Sequence, residues 1–315
     1  MNLEIINKEE DFFGIIEESW AGPEEFIEWF NHYEEEIEQY LVKYGVIRFK
    51  KTGLKTNVDF QKFITEINIK PIDYIDGNSP RTKKSSKIYT STEYPAEVFI
   101  SMHNELSYSN YFPKKIFFFC LTPAEEGGET TALNGYSFLE KLDPAIMGDF
   151  FDRNIKYIRN LHGGGGIGSS WQETFESDDK AFIEAFCLEN EIKVSWKENN
   201  SLRLEQVRPT VLEHPKSGRK IWFNQADQFH PSNNPPEVYE AMKYLYEDDE
   251  FPLYVTYDDG SEIPDSIFEH IRSVSRANLI TMPWEKEDIM LFDNMSVLHG
   301  RNPFSGKREI LLSMA

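Results

Sequence analysis

Residues 98–105 read Val98-Phe99-Ile100-Ser101-Met102-His103-Asn104-Glu105, an apolar run that hands over to a histidine and, two positions later, a glutamate. Whether this stretch is helix or strand decides what the chain is. On a helix, side chains two positions apart point about 200° apart and cannot reach one ion; on an extended strand they share a face. The β-branched and aromatic residues before His103 favour a strand, so His103 and Glu105 can share a metal. A second such match, His32-Tyr33-Glu34, sits in a segment of helical period and is read as accidental. With 7 histidines and 54 acidic residues among 315, about one accidental match is expected.

Working outward, residues 88–134 read as β throughout, with the apolar run Ile116-Phe117-Phe118-Phe119 ending at Cys120 and the segment closing on Gly127-Gly128. Near the C-terminus Ile289-Met290-Leu291-Phe292, the turn residues Asp293-Asn294 and Met295 to Leu298 read as a hairpin, and residues 309–315 as a last strand. Upstream, Phe26, Phe30, Ile37 and Leu41 recur near the helical period, Gly45 stops that helix, and Val46-Ile47-Arg48-Phe49 is a short strand. Residues 73–81 form a turn-rich loop. Asp143-Pro144 reads as a helix start, Gly163 to Gly166 as a mobile loop, and residues 178–190 as a helix. The pattern predicts a mainly β chain with flanking helices, a jelly-roll barrel carrying a large insertion; an α+β sandwich fits nearly as well from pattern alone. With no repeat or linker in sight, one domain is expected over 1–315: an N-terminal helical segment at 1–44, then a jelly-roll core at 45–315 with an insertion at about 140–285, between the metal-binding strands.

A metal needs a third ligand, and His299, closing the predicted hairpin strand, is the best placed. Two histidines and one carboxylate on one side of an ion leave open positions opposite, which suits Fe(II) binding a co-substrate and O2 together. The same ligands also describe a catalytic zinc in a hydrolase, although no H-E-x-x-H motif is present, and a non-catalytic jelly-roll binding protein is a further alternative. His214 and His270 lie beside charged residues and read as surface positions, His230 sits in a turn before Pro231, and His162 borders the glycine run.

The chain is strongly acidic, with 54 acidic against 33 basic residues and a formal charge of −21. Such a surface disfavours nucleic acid and anionic membranes. The densest runs, Glu34 to Glu36 and Glu247 to Glu250, read as solvated faces. Two cysteines, Cys120 and Cys187, make no disulfide framework. No basic segment followed by an apolar core opens the chain, and no apolar stretch approaches ~18 residues, so a cytoplasmic protein is expected.

Several stretches, in this order, resemble a known family. They are Thr90-Ser91-Thr92-Glu93-Tyr94-Pro95, His103-Asn104-Glu105-Leu106-Ser107-Tyr108, Phe117-Phe118-Phe119-Cys120 followed by Gly127-Gly128-Glu129-Thr130, Trp222-Phe223-Asn224-Gln225, and Asp293-Asn294 through His299-Gly300-Arg301. From about Gly45 onward the chain resembles the taurine dioxygenase-like (TauD/TfdA) branch of the Fe(II)/2-oxoglutarate oxygenases, in particular its clavaminate synthase-like and SyrP-like members. The resemblance implies a double-stranded β-helix of the jelly-roll, cupin-like kind, with Fe(II), 2-oxoglutarate and O2 as its reagents.

It also implies roles. His103, Glu105 and His299 would bind iron, Thr130 would hydrogen-bond 2-oxoglutarate, and Arg308 would pair with the distal carboxylate of that co-substrate, with Arg301 a second candidate. A planar guanidinium suits that task, because it grips a carboxylate through two parallel hydrogen bonds. Relatives that install halogen carry a small residue where Glu105 stands, so hydroxylation is the outcome implied. The substrate class implied is a small polar molecule, such as an amino acid, free or tethered to a carrier protein; the net charge disfavours an acidic carrier. Arg81, His162, Arg203, Asn224, Gln225 and Arg301 are the candidates for reading its polar groups, and the glycine loop at 162–168 is a candidate lid.

Overall fold

In a computed structural model, which describes residues 3–315, two β-sheets organise the chain. The larger has eight strands in the order Leu3–Asn7, Phe12–Glu17, Val46–Lys50, Ile289–Asp293, Lys115–Thr122, Glu309–Met314, Ile88–Thr90, Lys83–Ser85. The smaller runs Ile280–Thr281, Thr130–Asn134, Val297–Arg301, Ile100–His103. All neighbours are antiparallel except Phe12–Glu17 beside Val46–Lys50. The two sheets face each other without closing into a barrel.

The run from Ile116 to Cys120 is apolar without interruption because both of its faces are buried. Ile116, Phe118 and Cys120 point to the smaller sheet and pack with Met102, Ala132, Leu133, Val297 and Leu298. Phe117 and Phe119 point the other way, against Phe26, Phe30, Ile37, Leu41, Phe60 and Phe63. The last six come from helices Pro23–His32, Glu34–Tyr44 and Asn57–Glu66, which cover the outer face of the large sheet. Both cysteines are buried and unpaired, and burial pushes each thiol up to about 12.

Three expectations need correction. The segment 1–44 is helical only from Pro23; Leu3–Asn7 and Phe12–Glu17 pair as antiparallel strands and extend the large sheet, and residues 1 and 2 lie outside the described ones. Phe12 to Ile16 is a run buried on both faces, so it shows no alternation to read. The helix expected through Phe26 and Leu41 is two helices broken at Tyr33, although the four apolar positions all turn inward. Finally, Ile289–Asp293 and Val297–Arg301 do not pair with each other. The Asp293-Asn294 turn carries the chain from the large sheet to the small one.

Between Thr130–Asn134 and Ile280–Thr281 the chain builds helices and a further four-stranded sheet, ordered Lys193–Trp196, Leu202–Pro209, Asn154–Leu161, Leu253–Tyr257. Its residues Ile155, Tyr157, Val255 and Tyr257 join the main core. Of the acidic runs, Glu35, Glu36, Glu247, Asp249 and Glu250 are exposed, while the side chain of Asp248 lies outside the described ones. No described helix is long and apolar enough to cross a membrane.

Candidate metal centre

The small sheet gathers the three expected ligands. Val297–Arg301 is its central strand, with Thr130–Asn134 on one side and Ile100–His103 on the other, and the register sets His299 directly opposite His103. Their ring centroids stand 4.4 Å apart. Glu105 follows in the turn after His103, with Oε2 3.8 Å from His299 Nε2. One ligand atom from each of the three lies within 4.8 Å of the others. That spacing makes the three side chains a candidate ligand set for one divalent ion.

The chain prepares these groups to be ligands. His103 Nδ1 meets the Ser101 carbonyl at 2.8 Å. A carbonyl only accepts, so Nδ1 carries the proton and Nε2 is free for a metal. Burial and the neighbouring His299 push His103 down to about 3. Burial works to raise the Glu105 carboxyl, but the Arg81 guanidinium and the two imidazoles outweigh it and hold the group at about 2. A neutral imidazole and an ionised carboxylate in a dry site are what a cation needs at neutral pH.

Two residues that the sequence reading missed fix the Glu105 turn. Asn294 accepts from the Glu105 N–H through Oδ1 at 2.7 Å, and donates through Nδ2 to the carbonyls of Glu105 at 2.9 Å and Pro113 at 2.7 Å. Asn104 returns the contact, donating to the carbonyls of Asn294 and Val297. These bonds join residues 181 or more positions apart, or close the turn itself at Glu105, and no local pattern signals them. Asn294→Ala strands buried groups that cost about 1–3 kcal/mol each. It is therefore expected to lower the melting temperature and to weaken Fe(II) binding by about 10–100-fold, as loss of a ligand-orienting partner does. Calorimetry and a metal titration check this; wild-type values in both would contradict it.

A pocket of about 340 Å³, mouth included, opens beside the ligands and runs past Thr130 and Ser91 to Arg308. Arg308 donates from Nε to the Gly128 carbonyl at 2.7 Å and from Nη1 to Ser91 Oγ at 3.1 Å, and no carboxylate of the described residues forms an ion pair with it. Burial and the nearby Arg301 push it down to about 10, so it stays charged at neutral pH. A side chain at Gly128 would collide with it, since a Cβ there would lie 2.9 Å from Arg308 Cδ. Thr130 Oγ1 accepts from Trp284 Nε1 at 3.2 Å, another partner the sequence did not reveal. The cradle thus has an open-sided metal site at one end and an unpaired, partly buried cation at the other, the right charge distribution for a short dicarboxylate that chelates a metal.

The other candidates separate clearly. Arg81 borders the metal pocket and donates to Glu105 Oε2 at 2.6 Å, while its Nε is buried without a partner. Arg301 also lines the pocket, but its Nη1 and Nη2 donate to the carbonyls of Thr92, Tyr94, Pro95 and Val98, so it pins that loop instead of facing a substrate. Arg203 belongs on the outward face of Leu202–Pro209, paired with Glu205 and Asp249, away from the pocket. Asn224 is buried on the Thr210 carbonyl and the Ala226 N–H. Gln225 accepts from the Ser107 N–H at 3.1 Å and so steadies the metal turn from behind. His162 caps its own loop through Gly164 N–H and the Gly168 carbonyl. His214, expected at the surface, is buried against Asp293 at 2.9 Å, since the turn that crosses between the sheets folds over it. His230 is buried too, its ring 4.1 Å from that of Phe268.

Comparison with known proteins agrees with this geometry. Residues 23–314 match the family described as taurine catabolism dioxygenase TauD, TfdA family. Dapdiamide synthesis protein DdaC from Enterobacter agglomerans is 32% identical over 287 residues, covering 91% of this chain and 86% of DdaC. A clavaminate synthase-like protein from Arabidopsis thaliana is 25% identical over 291 residues, covering 88% of this chain and 83% of the plant protein. Among solved structures, PvcB from Pseudomonas aeruginosa shares the fold with a TM-score of 0.55 at 14% identity, covering 99% of this chain and 90% of PvcB. A second structure of PvcB is described as an Fe, alpha-ketoglutarate dependent oxygenase from an isonitrile synthetic pathway.

Proposed function

The chain belongs to the TauD/TfdA family of Fe(II)- and 2-oxoglutarate-dependent dioxygenases, and on that premise we propose that it hydroxylates an unactivated C–H bond of a small polar substrate, an amino acid either free or held on a carrier. Family membership sets aside the zinc hydrolase and the non-catalytic binding protein. The observation that carries the reading is the pairing of an open-sided His103, Glu105, His299 site with an unpaired Arg308 across one pocket.

In this reading His103, Glu105 and His299 hold the iron, and Thr130 and Arg308 hold 2-oxoglutarate. Iron, 2-oxoglutarate and O2 together supply the oxidising power to break the C–H bond. The protein's own part is placement. Arg308 meets the distal carboxylate with a fork of donors. Thr130 adds a hydroxyl beside it. Arg81 keeps the Glu105 oxygens oriented. Glu105 fills a ligand position, which favours hydroxylation over halogen transfer.

Arg81 stands where the metal pocket meets a second cleft, lined by Tyr74, Glu93, Arg159 and Glu173. Its unpartnered Nε is a donor for a substrate carboxylate. Arg159 serves the fold, since it is ion-paired to Asp76 in the interior. The residues from Gly163 to Gly168 border that cleft through Gly168, and left-handed backbone at Gly164, Gly165 and Gly168 (φ 122, 80 and 88) suits a lid that must change shape. DdaC, by its name, serves dapdiamide synthesis, and PvcB comes from an isonitrile synthetic pathway; both support a biosynthetic setting. The formal charge of −21 favours a free amino acid over one on an acidic carrier.

The test is a screen of amino acids, free and as carrier thioesters, for stimulated succinate release from 2-oxoglutarate by the Fe(II)-loaded protein. At least one is expected to raise release above the rate without substrate. If none does while 2-oxoglutarate still binds, the amino-acid assignment is refuted and the iron site stands.

A further inference from the structure

Exposed apolar side chains are unevenly spread on this protein. Of the eleven large ones among the described residues, five border a single groove: Tyr94, Val98, Ile167, Val238 and Leu245. Such concentration marks a binding surface, whereas scattered exposed residues do not.

One wall is the helix Pro236–Leu245. Val238, Ala241, Met242 and Leu245 fall at i, i+3, i+4 and i+7, the spacing of a stripe meant for burial. Yet the helix buries no residue, and Leu245 is 64% exposed. The groove is also lined by residues of the stretch from Tyr94 to Ile100 and by Ile167 of the glycine loop, which is 65% exposed. The groove encloses about 1720 Å³, mouth included, against about 340 Å³ beside the metal ligands. A small polar amino acid leaves this space unexplained.

Position says what it is for. Ile100 belongs to both the groove and the metal pocket, and it opens the strand that ends at His103. Tyr94 is shared with the cleft that Arg81 borders. Among the described residues, Glu237 is the only formally charged one lining the groove. A carboxylate is therefore unwelcome there and is drawn to Arg81, while an uncharged apolar limb fits.

We propose that this groove binds an apolar limb of the substrate, an acyl chain or aryl-bearing substituent whose polar, carboxylate-bearing end lies at Arg81 beside the metal. The inference rests on the amino-acid oxygenase reading and extends its substrate: the amino acid carries an apolar limb and is amphipathic as a whole.

The experiment uses N-acyl-L-alanines of increasing chain length, from acetyl to octanoyl, titrated into protein loaded with Fe(II) and 2-oxoglutarate under anaerobic conditions. Affinity is expected to rise by about fourfold for each methylene that enters the groove. Leu245→Asp and Val238→Asp, both at exposed positions, should flatten the series, with retained 2-oxoglutarate binding showing that each variant is folded. Affinity independent of chain length, absence of binding by every member while 2-oxoglutarate binds, or a series that survives both variants overturns the proposal. So does sedimentation showing a dimer that Leu245→Asp dissociates, which assigns the groove to a second copy. Loss of 2-oxoglutarate binding by the unmodified protein would instead sink the oxygenase reading.

Discussion

Glu105→Ala protein is expected to lose its iron and its succinate formation together. Glu105 is the only carboxylate among the three ligands, and it is buried at 2% exposure. Its removal leaves two imidazoles to hold a dication. It also leaves the Arg81 guanidinium, whose side chain is 3% exposed, without its counter-charge. An uncompensated buried charge costs about 3–5 kcal/mol, and here it lies beside the site a cation must enter. The fall in Fe(II) affinity should therefore exceed the roughly 10–100-fold seen on losing a group one step further out. Metal content after gel filtration, read beside succinate release, checks both effects. Glu105→Gln separates charge from shape: it keeps the side-chain length but cannot neutralise Arg81, so it should fail nearly as badly. A Glu105→Ala protein that keeps iron and forms succinate would show that the three residues are not a ligand set.

The second large effect is expected at Arg308. It is a partly buried cation with no ion-pair partner among the described residues, held in place by Gly128 and Ser91. If its partner is the distal carboxylate of 2-oxoglutarate, truncation breaks a hydrogen-bonded charge pair inside the pocket, at about 2–5 kcal/mol. Arg308→Ala should therefore raise the KM for 2-oxoglutarate by roughly 30- to 4,000-fold while leaving Fe(II) affinity near that of the wild type. Arg308→Lys should recover part of the loss, because an ammonium restores the charge but not the two-pronged grip. Arg301→Lys is the informative comparison. Arg301 holds the loop from Thr92 to Val98 through four carbonyls, so its replacement should lower stability more than co-substrate affinity. An unchanged KM in Arg308→Ala would place the co-substrate elsewhere.

What was legible in the sequence depended on periodicity. His103 and Glu105 stood out because a strand of period two would set them on one face. The strand in fact ends at His103, and a turn brings Glu105 back to the metal site. The long apolar run at Ile116 did betray a strand buried on both sides. The strand Leu202–Pro209 escaped notice for the opposite reason. It alternates as well as any, but two of its inward positions are Gln206 and Arg208. A polar residue turned inward hides the pattern that marks a half-buried strand. Arg203, named as a substrate contact only through the family resemblance, lies on the outward face of this strand, paired with Glu205 and Asp249. Gln225 and Asn294 were obscure in another way. Gln225 was singled out for the wrong task, and Asn294 for none beyond a turn, because their hydrogen bonds reach across 118 and 189 positions. Such contacts follow from the finished fold. Arg81 lay in a turn-rich loop, and its closeness to Glu105 became visible only once that loop was laid over the metal pocket.

The most direct measurement compares O2 uptake and succinate release from 2-oxoglutarate by protein loaded with Fe(II) and by protein loaded with Zn(II). Both activities should appear with iron, remain coupled to each other, and vanish with zinc. Turnover that zinc supports, or iron-loaded protein that consumes no O2 with any substrate tried, would contradict an oxygenase built on His103, Glu105 and His299.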